Sequence, residues 1–279
     1  MAIVKYAQWR DYGQQRIQTN DTVMGLLAGS KLAAQTLNLT AGSTLTLSQI
    51  FPKVEHIARF NLRADRARQV LEEAEILLGI LAVPQILALH EDLFQGMSSM
   101  LVTEGLMTVG QASGIKTANM HERIQGVIPG AQFTPESLEL FHLVRVARNT
   151  HIHSGGRADQ TLINRIQSVP QGAFEVWDRI TGEPFPPYSV GDPVRMGLHE
   201  LLGILAITKR LAEEANGFLQ SALPVSRWAD MLVADWIQQR RPGNRAQMIK
   251  SALGLSRVNF GAIRFAASDI EDAMIRAGI

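Results

Sequence analysis

The chain has 279 residues, 46% of them apolar and 19% charged, with a formal net charge of +1. That length and balance fit one or two folded domains, and they exclude both an extended disordered protein and one that binds nucleic acid through bulk charge. There are no cysteines, which excludes disulfides, a thiol nucleophile and cysteine-held zinc or iron–sulfur.

The N-terminal MAIVKYAQWRDYG lacks the apolar core of a signal peptide, so a cytoplasmic protein is expected. Residues 3–19, with Trp9 and Tyr12, read as a first helix, and Val23 to Leu37 as a second. The Thr-, Ser- and Gly-rich stretch 38–50 reads as a loop or short extended piece. A helical pattern runs from Asp65 to about Met107. Leu71, Ala74, Leu77 and Leu78 share one face, Arg66, Glu72, Glu73 and Glu75 favour the others, and Pro84 is expected to kink or break the helix. The longest apolar run, Ile76 to Leu89, is too short to span a bilayer and contains Pro84 and Gln85. A buried core helix is expected there, with no membrane partner.

Residues 108–133 read as a polar connection. Thr134-Pro135-Glu136 is a helix start: a threonine N-cap, proline at the first helical position and an acid in the first turn. Leu140, Val144 and Ala147 form its apolar stripe, and Gly155-Gly156 its stop. A short helix follows at Asp159 to Ile166. Within 168–193, Phe174 to Asp178 alternates in polarity and Pro184, Pro186 and Pro187 forbid helix, which predicts a small hairpin or ordered loop. Helices resume at 194–222, 228–239, 246–253 and 268–277. The fold class is therefore mainly α. A helical bundle is expected over 60–222, with helical extensions at 1–59 and 223–279.

Chemistry gathers in one place. Residues 138–156 read LELFHLVRVARNTHIHSGG, in which an apolar helix runs into Arg148 and Asn149, and His153 follows before the glycine pair. Arginine with histidine, and no carboxylate or cysteine partner, is the equipment of metal-free RNA cleavage. The imidazole titrates near neutrality and moves protons, and the guanidinium holds charge on a phosphoryl group. At about 100° per residue the two side chains lie about 140° apart on an ideal helix. They share a site only if the helix loosens near 151–154 or if two subunits build the site together. The alternative is that both cations complement the dipole at a helix end.

The segment resembles the signature of the HEPN superfamily, an arginine followed by a polar residue, often asparagine, with histidine four to six intervening residues after the arginine near the end of a core helix; Arg148, Asn149 and His153 match it directly. The following GGRADQTLINRI is similar to HEPN proteins of phage-resistance type, so the resemblance covers about residues 135–166. It implies a HEPN-like helical bundle and a homodimer whose two motifs meet across the interface. It also implies a metal-independent endoribonuclease acting on an RNA substrate, in phage defence or as a toxin, with no cofactor and with an inhibitory or activating partner still to be identified. Arg148 and His153 would be the phosphate stabiliser and the acid/base, with Asn149 in support. One branch of the family carries a tyrosine two residues after the histidine, which a partner nucleotidyltransferase modifies. Gly155 stands there in this chain, so that partner is not expected.

Arg145, His151 and Arg157 are candidate substrate contacts. His151 equally reads as an exposed helix-end histidine, and Arg145 as a surface partner of Glu136 or Glu139. Arg59, Arg63, Arg66 and Arg68 form one basic cluster, and Arg240, Arg241, Arg245 and Lys250 another. The segment RAQMIKSALGLSRVNFGAIR has the outline of a helix-turn-helix with Gly254 in the turn, which keeps a non-catalytic nucleic-acid-binding regulator as the second reading. No phosphate-cradling glycine loop is present, and His90-Glu91-Asp92 is too compact for a metal set. No metal is expected.

Overall fold

A computed structural model describes residues 2–59, 62–239 and 243–279. The boundary expected at residue 60, and Arg240 and Arg241 of the second basic cluster, lie outside the described residues. The chain folds as helices in this order: α1 (Ala7–Asn38), α2 (Leu47–Ile50), α3 (Ala64–Glu72), α4 (Ala74–Thr103), α5 (Val109–Ser113), α6 (Met120–Val127), α7 (Pro135–His153), α8 (Gln160–Ser168), α9 (Gln171–Thr181), α10 (Leu198–Ala222), α11 (Val225–Gln239), α12 (Arg245–Asn259) and α13 (Ala267–Arg276). No strand occurs among the described residues, where β pairing is limited to isolated bridges such as Arg157 with Pro193.

At 30 residues and about 1.5 Å per residue, α4 is a rod about 45 Å long. It packs against α1, α10, α6 and α7. By length and composition α4 can cross a membrane, with a mean hydropathy of 1.6 over its most apolar window. Its C-terminal half is buried in the protein through Leu93, Phe94, Met97 and Leu101. Pro84 sits inside α4 without ending it; the break in the 65–107 pattern falls at Glu73, between α3 and α4.

α7 lies against α10, α9 and α8, which fixes the motif helix on three sides. It starts at Pro135 as expected, yet Thr134 makes no side-chain cap. Its hydroxyl and amide instead bond to the Glu214 carboxylate on α10, which ties the two helices together. The glycine stop is confirmed: Gly155 and Gly156 have φ of 62° and 74°, the left-handed region that glycine enters without a Cβ penalty.

Further expectations are corrected. The first two helices are one continuous α1. The connection 108–133 contains α5 and α6. The hairpin expected in 168–193 is α9 followed by an irregular proline-bearing segment, with Trp177 of α9 only 1% exposed. Gly203 of α10 explains that packing, since a Cβ there would meet the Trp177 ring at 2.5 Å. Finally, α12 runs unbroken through Gly254, so the turn of the helix-turn-helix outline is absent.

The main apolar core draws on residues from Val4 to Met274, and a second, smaller cluster of Leu37, Ala64 and Ala67 packs α1 against α3. Residues before α1 thread between α10 and the C-terminal helices. The fully buried Asn216 brackets Val4, accepting from its amide at 3.1 Å and donating to its carbonyl at 2.9 Å. Lys5 N donates to Asn259 O, and the Tyr6 ring lies 6.0 Å from that of Trp228.

Candidate functional site

The C-terminal half of α7 forms one wall of an open cleft. The opposite wall is α4, and the floor is the loop between α5 and α6. Arg145, Arg148 and Asn149 project from α7, Glu91 from α4, and Lys116 and Thr117 from the loop. Thr117 Oγ1 donates to the Glu91 carboxylate, which holds the loop against α4. Three cations therefore face one carboxylate, a balance that favours an anion.

Arg148 is half-buried. Its Nη1 donates to Asn149 Oδ1 at 2.9 Å, while its Nε is buried with no partner. Buried donors are rarely left unpaired, because the lost water bond is not repaid. What the cleft offers a ligand is the shared presence of Arg145, Arg148 and Lys116, cations that suit the oxygens of a phosphate. Burial and the nearby Arg165 cation lower the Arg145 pKa, with Glu122 acting in the opposite sense. Arg145 Nε points to His142 Nδ1 at 3.4 Å, and Glu139 pairs with Arg165, so Arg145 is not engaged by that acid.

The remaining candidates lie elsewhere. α7 keeps regular geometry to His153, so Arg148 and His153 stay on different faces of one helix. His153 is exposed at the helix end and does not line the cleft. His151 turns toward the segment before α10, its Nδ1 3.3 Å from Val194 O, with its ring near Gly156. Arg157 is exposed and donates to Gly191 O at 3.0 Å. Within one chain the structure thus brings together Arg145, Arg148 and Asn149, and leaves His151, His153 and Arg157 outside.

Of the basic clusters, Arg66 and Arg68 are engaged within α3, with Gln69 and Glu72. Arg245 is held by Glu271 and the Ile279 carbonyl. Trp177, Trp228 and Trp236 are buried and offer no stacking face.

Behind the cleft lies a buried polar chain that sequence reasoning missed. Arg16 Nη1 donates to Tyr12 Oη at 2.9 Å, Tyr12 Oη meets His90 Nδ1 at 3.1 Å, and His90 Nε2 meets His121 Nε2 at 3.0 Å. Both histidines are fully buried. Burial, then the Arg16 cation, holds His90 well below the usual histidine range. Burial, then His90 and His142, does the same for His121. Beside His121, His142 Nε2 lies 2.8 Å from Glu122 Oε1, and donor atoms of His121, Glu122 and His142 all fall within 4.8 Å of one another. Burial raises the Glu122 pKa, but its bonds to His142 and to backbone outweigh that and leave it lowered. The three residues come from α6 and α7, twenty positions apart in the chain. No short-range spacing announces them, and the same holds for Glu91, Lys116 and Thr117 in the cleft. No family model, no curated protein and no solved structure matches this chain.

Proposed function

We propose that the chain is a metal-independent endoribonuclease with a HEPN-like bundle, working as a homodimer. The observation that carries this reading is the half-buried Arg148, set with Arg145 and Lys116 in a cationic cleft near the end of the helix that bears His153. In the reaction, the His153 imidazole of a second copy takes the proton of a ribose 2′-hydroxyl. The freed O2′ attacks the adjacent phosphorus and the bond to the 5′-oxygen breaks, with a proton delivered to that oxygen. The products are a 2′,3′-cyclic phosphate and a 5′-hydroxyl end. Arg148, with Arg145 and Lys116, stabilises the charge that grows on the phosphoryl oxygens. Asn149 holds the Arg148 fork in place. His151 and Arg157, outside the cleft, contact flanking nucleotides in this scheme. The toxin or phage-defence role rests on the resemblance of residues 135–166, and a cytoplasmic location goes with it.

The test is cleavage of RNA by the purified protein in excess EDTA, wild type beside Arg148→Ala and His153→Ala. The expected result is cyclic-phosphate ends from wild type and a loss of about a hundredfold or more in each variant. Cleavage unaffected by both substitutions sinks the reading. Salt-sensitive RNA binding without cleavage would favour the non-catalytic alternative, with the cleft as its binding surface.

A further inference from the structure

The buried chain behind the cleft has an unfinished end. His121 is fully buried, and its Nε2 is occupied by His90. Its Nδ1 is also buried and has no hydrogen-bond partner. Which state this nitrogen adopts follows from the rest of the chain. Tyr12 donates its hydroxyl proton to Thr208 O at 3.4 Å while Arg16 donates to the Tyr12 oxygen. His90 Nδ1–H then donates to Tyr12, and His121 Nε2–H donates to His90 Nε2. Every proton in this arrangement finds an acceptor, and His121 Nδ1 is left with a bare lone pair. The reverse order would leave an N–H at Nδ1 buried without an acceptor, which is the costlier arrangement. The nitrogen left free, beside Glu122 and His142, is thus a Lewis base.

We propose that His121, Glu122 and His142 form a binding site for one divalent transition cation of the zinc class, with His121 Nδ1, the Glu122 carboxylate and His142 Nε2 as ligands and a fourth position open. Two imidazoles and a carboxylate are a zinc-type donor set. Donor atoms around tetrahedral zinc lie about 3.4 Å apart, given bonds of about 2.1 Å. Glu122 Oε1 already lies 2.8 Å from His142 Nε2, the three donor groups fall within 4.8 Å of one another, and the Glu122 side chain, 50% exposed, has room to adjust. The chain from His121 through His90 and Tyr12 to Thr208 supplies the outer hydrogen bonds that fix the tautomer of a metal-bound histidine. Coordination at Nε2 places the His142 proton on Nδ1, where it opposes the Arg145 Nε–H now 3.4 Å away. Arg145 is then turned off His142 and toward the cleft it already lines. The site joins α6 to α7 and supplies no atom to bond cleavage, so metal binding is tested without reference to the proposed ribonuclease activity.

The test uses the full chain, stripped with EDTA and dialysed. Cobalt(II) is titrated in while the visible spectrum is read, and zinc is added while the thermal midpoint is read. Wild type is expected to take up one equivalent of cobalt with the intense band of a four-coordinate ion, and to gain thermal stability with zinc. Glu122→Gln, an exposed position that leaves the core untouched, is expected to weaken cobalt binding at least about tenfold, and His142→Ala to abolish the band. No cobalt band and no zinc-dependent shift in wild type overturn the proposal. So does equal uptake by wild type and Glu122→Gln, which would place the ion elsewhere.

Discussion

The residue scale is where burial sets chemistry. His90 and His121 are both fully buried and both held neutral. The groups that face them are Tyr12 and Arg16 of α1, Phe94 of α4, Phe141 and His142 of α7, Phe133, Glu122 of α6, and the Thr208 carbonyl of α10. Arg16 and His142 oppose a proton on the pair, and of the facing groups only Glu122 favours one. The sign of the resulting pH dependence is fixed. The unfolded chain takes up protons at these histidines below about pH 6.5, and the folded chain does not. Stability is therefore full above about pH 6.5 and is lost progressively as the pH falls below it. Denaturant midpoints between pH 7.5 and 5.5 measure this. His90→Gln is expected to be less stable at pH 7.5 but to lose stability on acidification with a shallower slope. A slope as steep as wild type would place the linked protons elsewhere.

At the scale of elements, the sequence made the ends of α7 legible and much else only in outline. Pro135 and Gly155-Gly156 act through local backbone geometry, which needs no knowledge of the fold, so both boundaries were readable. The helix α9 was not. Its Phe174 to Asp178 alternation looks like a strand, but the apolar positions Ala173, Trp177 and Ile180 also fit a helix, and only packing against α7 and α10 decides between them. Pro84 misled in the other direction. It sits about three turns past the break at Glu73 and remains within one helix. In the candidate site, Arg145, Arg148 and Asn149 were visible because one helix carries them. Their neighbours Glu91, Lys116 and Thr117 come from distant segments. The glycine stop offers an element-scale test. Gly156→Ala puts a side chain at φ 74° and within 3.4 Å of the His151 ring. A loss of about 1–2 kcal/mol is expected from the left-handed backbone alone. Gly172→Ala, a position with open space around it and no positive φ, is expected to cost nothing measurable. Equal thermal midpoints for Gly156→Ala and wild type would refute the strained-stop reading.

At the scale of the whole molecule, the decisive fact is the regularity of α7. Because the helix does not loosen before His153, one chain cannot place the Arg148 fork and the His153 imidazole on one phosphate. In the proposed homodimer the conflict is removed if a two-fold, isologous interface sets the Arg148 face of each copy against the His153 end of the other, which would create two identical sites. This arrangement makes a prediction that no single-chain site shares. When Arg148→Ala and His153→Ala proteins are unfolded together and refolded, half of the dimers are mixed. Each mixed dimer has one site that keeps both residues and one that lacks both. Ribonuclease activity is expected to return to about a quarter of wild type on this statistical count, although neither variant cleaves alone. Recovery at that level would tie activity to the shared site and would fix which residue each copy contributes. Absence of recovery, with dimers present by sedimentation and wild type active under the same refolding, would mean that His153 does not act across the interface.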